Sequence, residues 1–375
     1  MIPAVIFSKR VHHRKGNECD KANLCMEGEE GMSKTIRIAL VGFGTVAISL
    51  LKLIDAEKER LWKEHRCQIL LVGASDSKGI VLYDKGLPLH KLMIVKWDTG
   101  SVAHFPVYGQ KGGTALDMIA NTNADIIIES SPAHLPHGEP GIQHILKSLE
   151  LGKHVVSANK APLVLAWTDI MQKSKQNQCK IRYGAAASAG LPVLEMGALL
   201  GLNGEILEFA GVFNATSQYI INQMEQGVSY QLAIAQAQAA GFAEADPSVD
   251  VDGWDTAMKT ILLANTFLGS AIHLNQVSPV GIRQLSMQDI SEAAQSREVW
   301  RLVGRVTKVE GEWIVQVQPE RLACHHPLAM GSWKDKTIVI QTRNLGEQVH
   351  VSRGGSGKGT AATVLTDILE IARDI

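Results

Sequence analysis

From Thr35 onward, short apolar runs alternate with amphipathic stretches. Ile36-Arg37-Ile38-Ala39-Leu40-Val41 is a run of the kind buried on both faces of a parallel sheet. Gly42-Phe43-Gly44-Thr45-Val46-Ala47 follows at once, and Ile48-Ser49-Leu50-Leu51-Lys52-Leu53-Ile54 opens a helix. A second strand, Gln68-Ile69-Leu70-Leu71-Val72-Gly73-Ala74, ends in Ser75-Asp76-Ser77-Lys78-Gly79. Asp125-Ile126-Ile127-Ile128-Glu129-Ser130-Ser131 and His154-Val155-Val156-Ser157 are two more strands, with a helix over about 141–151 between them. This alternation predicts an α/β fold on a doubly wound parallel sheet. After Pro162 the pattern changes: a strand over 204–213, helices over 231–240 and 255–268, strand-like alternation over 313–351 and a helix over 360–373. Those elements predict a second domain of α+β type.

Composition narrows the function classes. A chain of 375 residues suits about two domains. With 37 basic against 38 acidic residues, there is no electrostatic case for nucleic acid or an anionic membrane as partner. Cys19, Cys25, Cys67, Cys179 and Cys324 are scattered and form no CxxC pair, so they read as reduced thiols of a cytoplasmic protein. No apolar run approaches the roughly 20 residues of a membrane helix. Residues 1–34 mix charges without periodicity and read as a poorly ordered extension, with Met32 as a candidate natural start. A transit peptide is the alternative, against which five acidic residues argue.

Two glycines one residue apart, between a strand and a helix, have a physical purpose. The first permits a tight turn, and the second lets the backbone approach a pyrophosphate at the helix N-terminus. Ala47 stands at the third fingerprint position, small enough for close helix–strand packing. The loop therefore points to a dinucleotide. Asp76 could hold the ribose hydroxyls of NAD, whereas Lys78 could pair with the 2′-phosphate of NADP; either could instead be a solvated loop charge.

The stretch from Gly241 through Glu244, Asp246, Asp250 and Asp252 is a carboxylate-rich loop that runs into an apolar helix. Asp255 and Lys259 are the only charged residues of that helix and share one face at i, i+4. A helix-stabilising ion pair is the plain reading. A buried pair gains little net stability, however, and a lysine in a dry site is a plausible proton donor. Glu244 and Asp255 could hold the ammonium group of an amino-acid-like substrate. Asp246, Asp250 and Asp252 read as turn and cap residues, with Asp250 close enough to support the site. Lys160 follows a sheet strand, where ligands of open α/β sheets bind.

Several separate motifs resemble those of homoserine dehydrogenases, over about residues 35–375. They are Gly42-Phe43-Gly44-Thr45-Val46, Gly138-Glu139-Pro140-Gly141, Ser157-Ala158-Asn159-Lys160, Gly190-Leu191-Pro192, Glu244-Ala245-Asp246-Pro247 running to Lys259, and Arg353-Gly354-Gly355-Ser356-Gly357 before Thr360-Ala361. The resemblance implies NAD(P)-dependent interconversion of L-aspartate 4-semialdehyde and L-homoserine, in threonine and methionine biosynthesis. It implies an NAD(P)-binding Rossmann domain over 35–164, completed by 352–375, and a catalytic and dimerisation domain over 165–351 of a homodimer. By the same resemblance Lys259 is the proton donor and Lys160 lies beside the nicotinamide and substrate. Glu244, Asp255, Thr216 and Gly241 bind the substrate. Gly42, Phe43, Gly44, Thr45, Val46, Ser131, Lys160, Gly355 and Gly357 contact the cofactor, with NADP favoured over NAD. The length suits a monofunctional short form.

The chain also departs from the family pattern. Asn214-Ala215-Thr216 stands where Asn-Gly-Thr is common. Tyr183-Gly184-Ala185 replaces a Tyr-Glu-Ala segment whose glutamate helps bind a monovalent cation, and Ala187 stands where valine is usual. Backbone carbonyls of Ala187, Ala189 and Leu191 remain as donors for a weakened sodium site. These departures keep two alternatives open: a related oxidoreductase on another amino-acid aldehyde or 3-hydroxy compound, and a catalytically silent nucleotide-binding protein.

Overall fold

The computed structural model describes residues 34–203, 205–354 and 357–375. The extension over 1–34 and the cofactor role of Gly355 therefore lie outside the described residues, save for Lys34. Seven strands form one sheet: β1 (Lys34–Val41), β2 (Cys67–Asp76), β3 (Gly79–Leu82), β4 (Gly109–Lys111), β5 (Ile126–Glu129), β6 (His154–Ser157) and β7 (Ile181–Arg182). Their order is β4-β3-β2-β1-β5-β6-β7. The five strands from β2 to β7 through β1 run parallel, as their unbroken apolar runs require: Ile38, Ala39, Leu40, Ile126, Ile127 and Ile128 are at most 1% exposed. β3 and β4 add an antiparallel edge that the apolar pattern did not reveal.

The second sheet contains β8 (Ile206–Val212), β9 (Glu298–Val309), β10 (Glu312–Ala323), β11 (Lys336–Thr342) and β12 (Gly346–Ser352) in the order β10-β9-β8-β11-β12, all antiparallel. Helix Trp254–Leu268 packs on it and is buried on nearly every side. Close approach requires Gly304 on β9, because a Cβ there would run into the Thr260 hydroxyl. The C-terminal helix Gly357–Ala372 returns to the first sheet. Its Ala361, Val364, Leu365, Ile368 and Ile371 recur at helical spacing and join the core formed by Leu50, Leu51 and Ile54 of helix Thr45–His65. Among the described residues no helix is long and apolar enough to cross a membrane, and Cys67, Cys179 and Cys324 are free thiols.

Candidate active site

β1 and β5 are neighbours whose connections leave the sheet in opposite directions, which opens a crevice beyond their carboxyl ends. Gly42 sits in it with φ +84°, and a Cβ there would lie 2.7 Å from the Ser130 carbonyl oxygen, so no side chain fits. A Cβ at Gly44 would meet nothing within 4 Å, and the bare backbone is open to a ligand. Helix Thr45–His65 starts with no side-chain cap and no acidic residue in its first turn, leaving its N–H groups to an anion. Phe43 and Ala47 are buried and Val46 packs against the same core, so these residues offer backbone rather than side chains to the crevice. A groove of about 510 Å³ runs from Gly42 past Ser75, Asp76, Ser77, Thr114, Ser131 and His144. These residues fit a dinucleotide.

Asp76 is less available than its position suggests. Its Oδ1 accepts from Lys78 N and Ser101 Oγ, both at 2.9 Å, and its Oδ2 from Lys96 Nζ and Val102 N, both at 2.8 Å. Burial opposes its charge, yet the Lys96 ammonium and these hydrogen bonds hold its carboxyl below the usual range. The carboxylate is committed to its own loop rather than to a ribose.

Elsewhere, one carboxylate gathers two lysines. Lys259 Nζ donates to Asp255 Oδ2 at 2.6 Å and to the Phe213 carbonyl at 2.9 Å. Lys160, first residue of helix Lys160–Leu165 after β6, brings its Nζ to 3.4 Å from Asp255 Oδ1. Asn214, just after β8, caps helix Ala215–Glu225 by accepting from Ser217 N through its side-chain Oδ1 and donates through Nδ2 to Asp255 (2.8 Å) and Asp250 (2.6 Å). Burial alone would raise Asp255, but Lys259, Lys160 and Asn214 hold its carboxyl far below the ordinary range. Asp250 is pushed up by burial and by the Asp255 charge. Asp255 thus already accepts from Lys259 and Asn214 and lies beside Lys160, the partners with which any substrate group would share it.

Thr216 and Ala215 line a cavity of about 590 Å³ with Phe242, Trp333, Lys336 and Ser352. Trp333 packs against Phe242 and Tyr219 at ring-centroid distances of 4.7 and 4.9 Å, which makes one wall aromatic. Glu244 and Gly241 are not brought to the lysine cluster: both are exposed, and Gln238 holds the loop through the Glu244 and Ala245 carbonyls. Gly357 begins the C-terminal helix.

Sequence reasoning missed two residues. Glu129, fully buried at the end of β5, accepts from Ser131 and lies 2.9 Å from His144 Nδ1; an acid closing an apolar strand was the available signal. Lys336 had no local signal, being one lysine in a surface-like Lys334-Asp335-Lys336 run. Its Nζ donates to the Ala189 carbonyl at 2.5 Å. Burial and the charges of Lys259 and Lys160 outweigh Asp255 and push Lys336 down to about 7.

The same contact bears on the sodium expectation. Ala189's oxygen is taken by Lys336, Leu191's accepts from Val193 N at 2.8 Å, and Gly184 has no side chain. Asp367, the acid nearest Gly184, is bound by Arg182 Nε at 2.8 Å and Gly184 N at 2.9 Å. Two of the three expected carbonyl donors, Ala189 and Leu191, thus already accept a hydrogen bond, and position 184 adds no oxygen for a hard cation.

A family model described as homoserine dehydrogenase matches residues 192–369. The chain is 35% identical over 343 residues to a protein of Pseudomonas canavaninivorans named NAD(+)-dependent homoserine dehydrogenase, covering 89% of this chain and 96% of that one. The chain belongs to the homoserine dehydrogenase family. The fold agrees with solved homoserine dehydrogenases: a putative one from Archaeoglobus fulgidus superposes with a TM-score of 0.79 at 30% identity, covering 90% of this chain and 99% of that one. A hyperthermophilic archaeal homoserine dehydrogenase in complex with NADPH gives 0.75 at 26%, covering 91% and 98%. As a homoserine dehydrogenase, the chain is an NAD(P)-dependent oxidoreductase interconverting L-aspartate 4-semialdehyde and L-homoserine.

Proposed function

We propose that Lys259 delivers the proton to the aldehyde oxygen, with Lys160 beside the reacting carbonyl and Asp255 holding both ammonium groups. The observation that carries this is one buried carboxylate joining a lysine from each half of the molecule. Two of the three N–H bonds of Lys259 are used by Asp255 and Phe213, which leaves one to point at substrate. Bound in the groove beyond β1 and β5, the nicotinamide cofactor supplies the hydride. The chain supplies orientation and the proton. Thr216 and the cavity around it receive the amino-acid part of the substrate, and the loop carrying Gly241 and Glu244 closes over it.

We favour NADP as the cofactor. The Asp76 carboxylate already has four donors, whereas the Lys78 ammonium is exposed next to the groove residue Ser77 and has no carboxylate partner among the described residues. An ammonium there suits a 2′-phosphate. The relative named NAD(+)-dependent makes the alternative concrete. A homodimer is our proposed assembly, to which the exposed Leu199, Leu202 and Leu207 offer apolar surface, and unpaired Cys67 and Cys179 suit the cytoplasm. The test is oxidation of NADPH and of NADH with L-aspartate 4-semialdehyde, comparing wild type with Lys259→Ala and Lys78→Ala. Wild-type turnover in Lys259→Ala would sink the proton-donor role, and a Lys78→Ala variant with unchanged KM for NADPH would sink the cofactor preference.

A further inference from the structure

Lys336 is a cation in an unusual place. It opens β11, pairs across to Ser352 on β12, and reaches the turn between helices Gly184–Ser188 and Val193–Asn203. Its one hydrogen bond there, to the Ala189 carbonyl, is between a charged donor and a neutral oxygen, and it makes no ion pair among the described residues. A lysine with no carboxylate of its own, in a partly buried setting already holding Lys160 and Lys259, is not explained by stability. The turn it touches matters to the site, because Ala189 and Gly190 line the substrate cavity beside Thr216. Gly190 is held at φ +91°, a conformation that favours glycine, and a Cβ there would stand 2.8 Å from the Ser352 hydroxyl. At this turn the Ala189 carbonyl accepts from Lys336 and the Leu191 carbonyl from Val193 N, while Asp367 beside it is held by Arg182 and Gly184 N.

We infer that the Lys336 ammonium is the resident monovalent cation of the Ala187–Ser188–Ala189–Gly190–Leu191 turn, so that turnover by this chain needs no free alkali ion. A tethered ammonium polarises the Ala189 carbonyl and fixes the turn without being recruited from solution. It also adds positive charge to a cavity that must accept the carboxylate of an amino-acid substrate. Lys336 is thus a positioning residue, and its role rests on the dehydrogenase reading of the cleft.

The test compares wild-type turnover of L-aspartate 4-semialdehyde in sodium, potassium and tetramethylammonium chlorides at equal ionic strength and at about pH 6, where the Lys336 side chain is an ammonium. Rates equal within about twofold are expected. A fall of about tenfold in tetramethylammonium, reversed by sodium, would overturn the inference. Turnover absent in every salt would instead remove the dehydrogenase reading on which it rests. Lys336→Ala should lose about tenfold in tetramethylammonium and recover on adding methylammonium, a rescue that a merely structural role would not give. A variant as active as wild type in tetramethylammonium would show the ammonium to be dispensable.

Discussion

The two ends of the cleft are built in different ways. At the proposed cofactor end the backbone would do the holding: Gly42, Gly44 and the uncapped start of helix Thr45–His65 offer turns and N–H groups within a few consecutive residues. At the proposed substrate end charged side chains would do it. Lys160, Asp255, Lys259 and Lys336 come from one sheet's crossover, a buried helix and the opening of a strand in the other sheet. Backbone sites are local because a turn is local, whereas a charge cluster can be assembled only by the tertiary fold.

The largest effect should come from breaking the substrate end. Lys259→Ala is expected to lower kcat by about 10²–10⁴-fold, the scale of a lost general acid, with circular dichroism unchanged. Equal loss of kcat and kcat/KM in stopped-flow assays would place the effect in the transition state. A comparable blow to the cofactor end is Gly42→Ala. The added methyl meets the Ser130 backbone and forces a left-handed residue, so the loop must shift. Nicotinamide cofactor affinity, measured by fluorescence titration, should fall about tenfold or more, the scale of strain costing 1–3 kcal/mol. Gly44→Ala meets open space and should disturb folding less while still crowding a ligand.

Asn214→Ala comes next. It removes a cap and the Nδ2 donor shared by Asp250 and Asp255, leaving two close acids with less to separate them. Destabilisation of about 1–2 kcal/mol is expected from the cap alone, read by denaturant titration. If Asn214 also positions Asp255, turnover falls beyond what the lost stability explains.

How much of this was legible follows from the same contrast. The apolar runs of β1, β2, β5 and β6, the glycine loop and the Asp255–Lys259 pair could be read directly, because each is a short-range pattern. The antiparallel β3–β4 edge could not, since its Gly79-Ile80-Val81-Leu82 strand is too short to signal its direction. Asp76 could be placed at the end of β2, but three of the four donors that occupy it arrive from the helix and loop following β3. Lys336 was invisible for the same reason: its meaning lies in Ala189, far away in the chain, and its neighbours Lys334 and Asp335 read as surface.

The smallest effect sharpens the comparison most. Lys336 titrates at about 7 in the fold against an ordinary 10.5. Between those values the folded chain binds fewer protons at this site than the unfolded chain, so its contribution to stability rises with pH across that window. Below about pH 7 the ammonium is present in both states and its full burial cost is felt. The opposing charges are Lys259 and Lys160, and the favourable one is Asp255. Lys336→Met keeps the chain's bulk but removes the charge. Its thermal midpoint should therefore exceed that of wild type by a few degrees at about pH 6, and the gain should vanish near pH 10. A gain of equal size at both pH values would mean that packing, not charge, sets the difference. A stabilised variant that turns over slowly in tetramethylammonium would show why the lysine is there: it weakens the fold at the pH where its charge serves the site, a trade that the backbone-built cofactor end does not make.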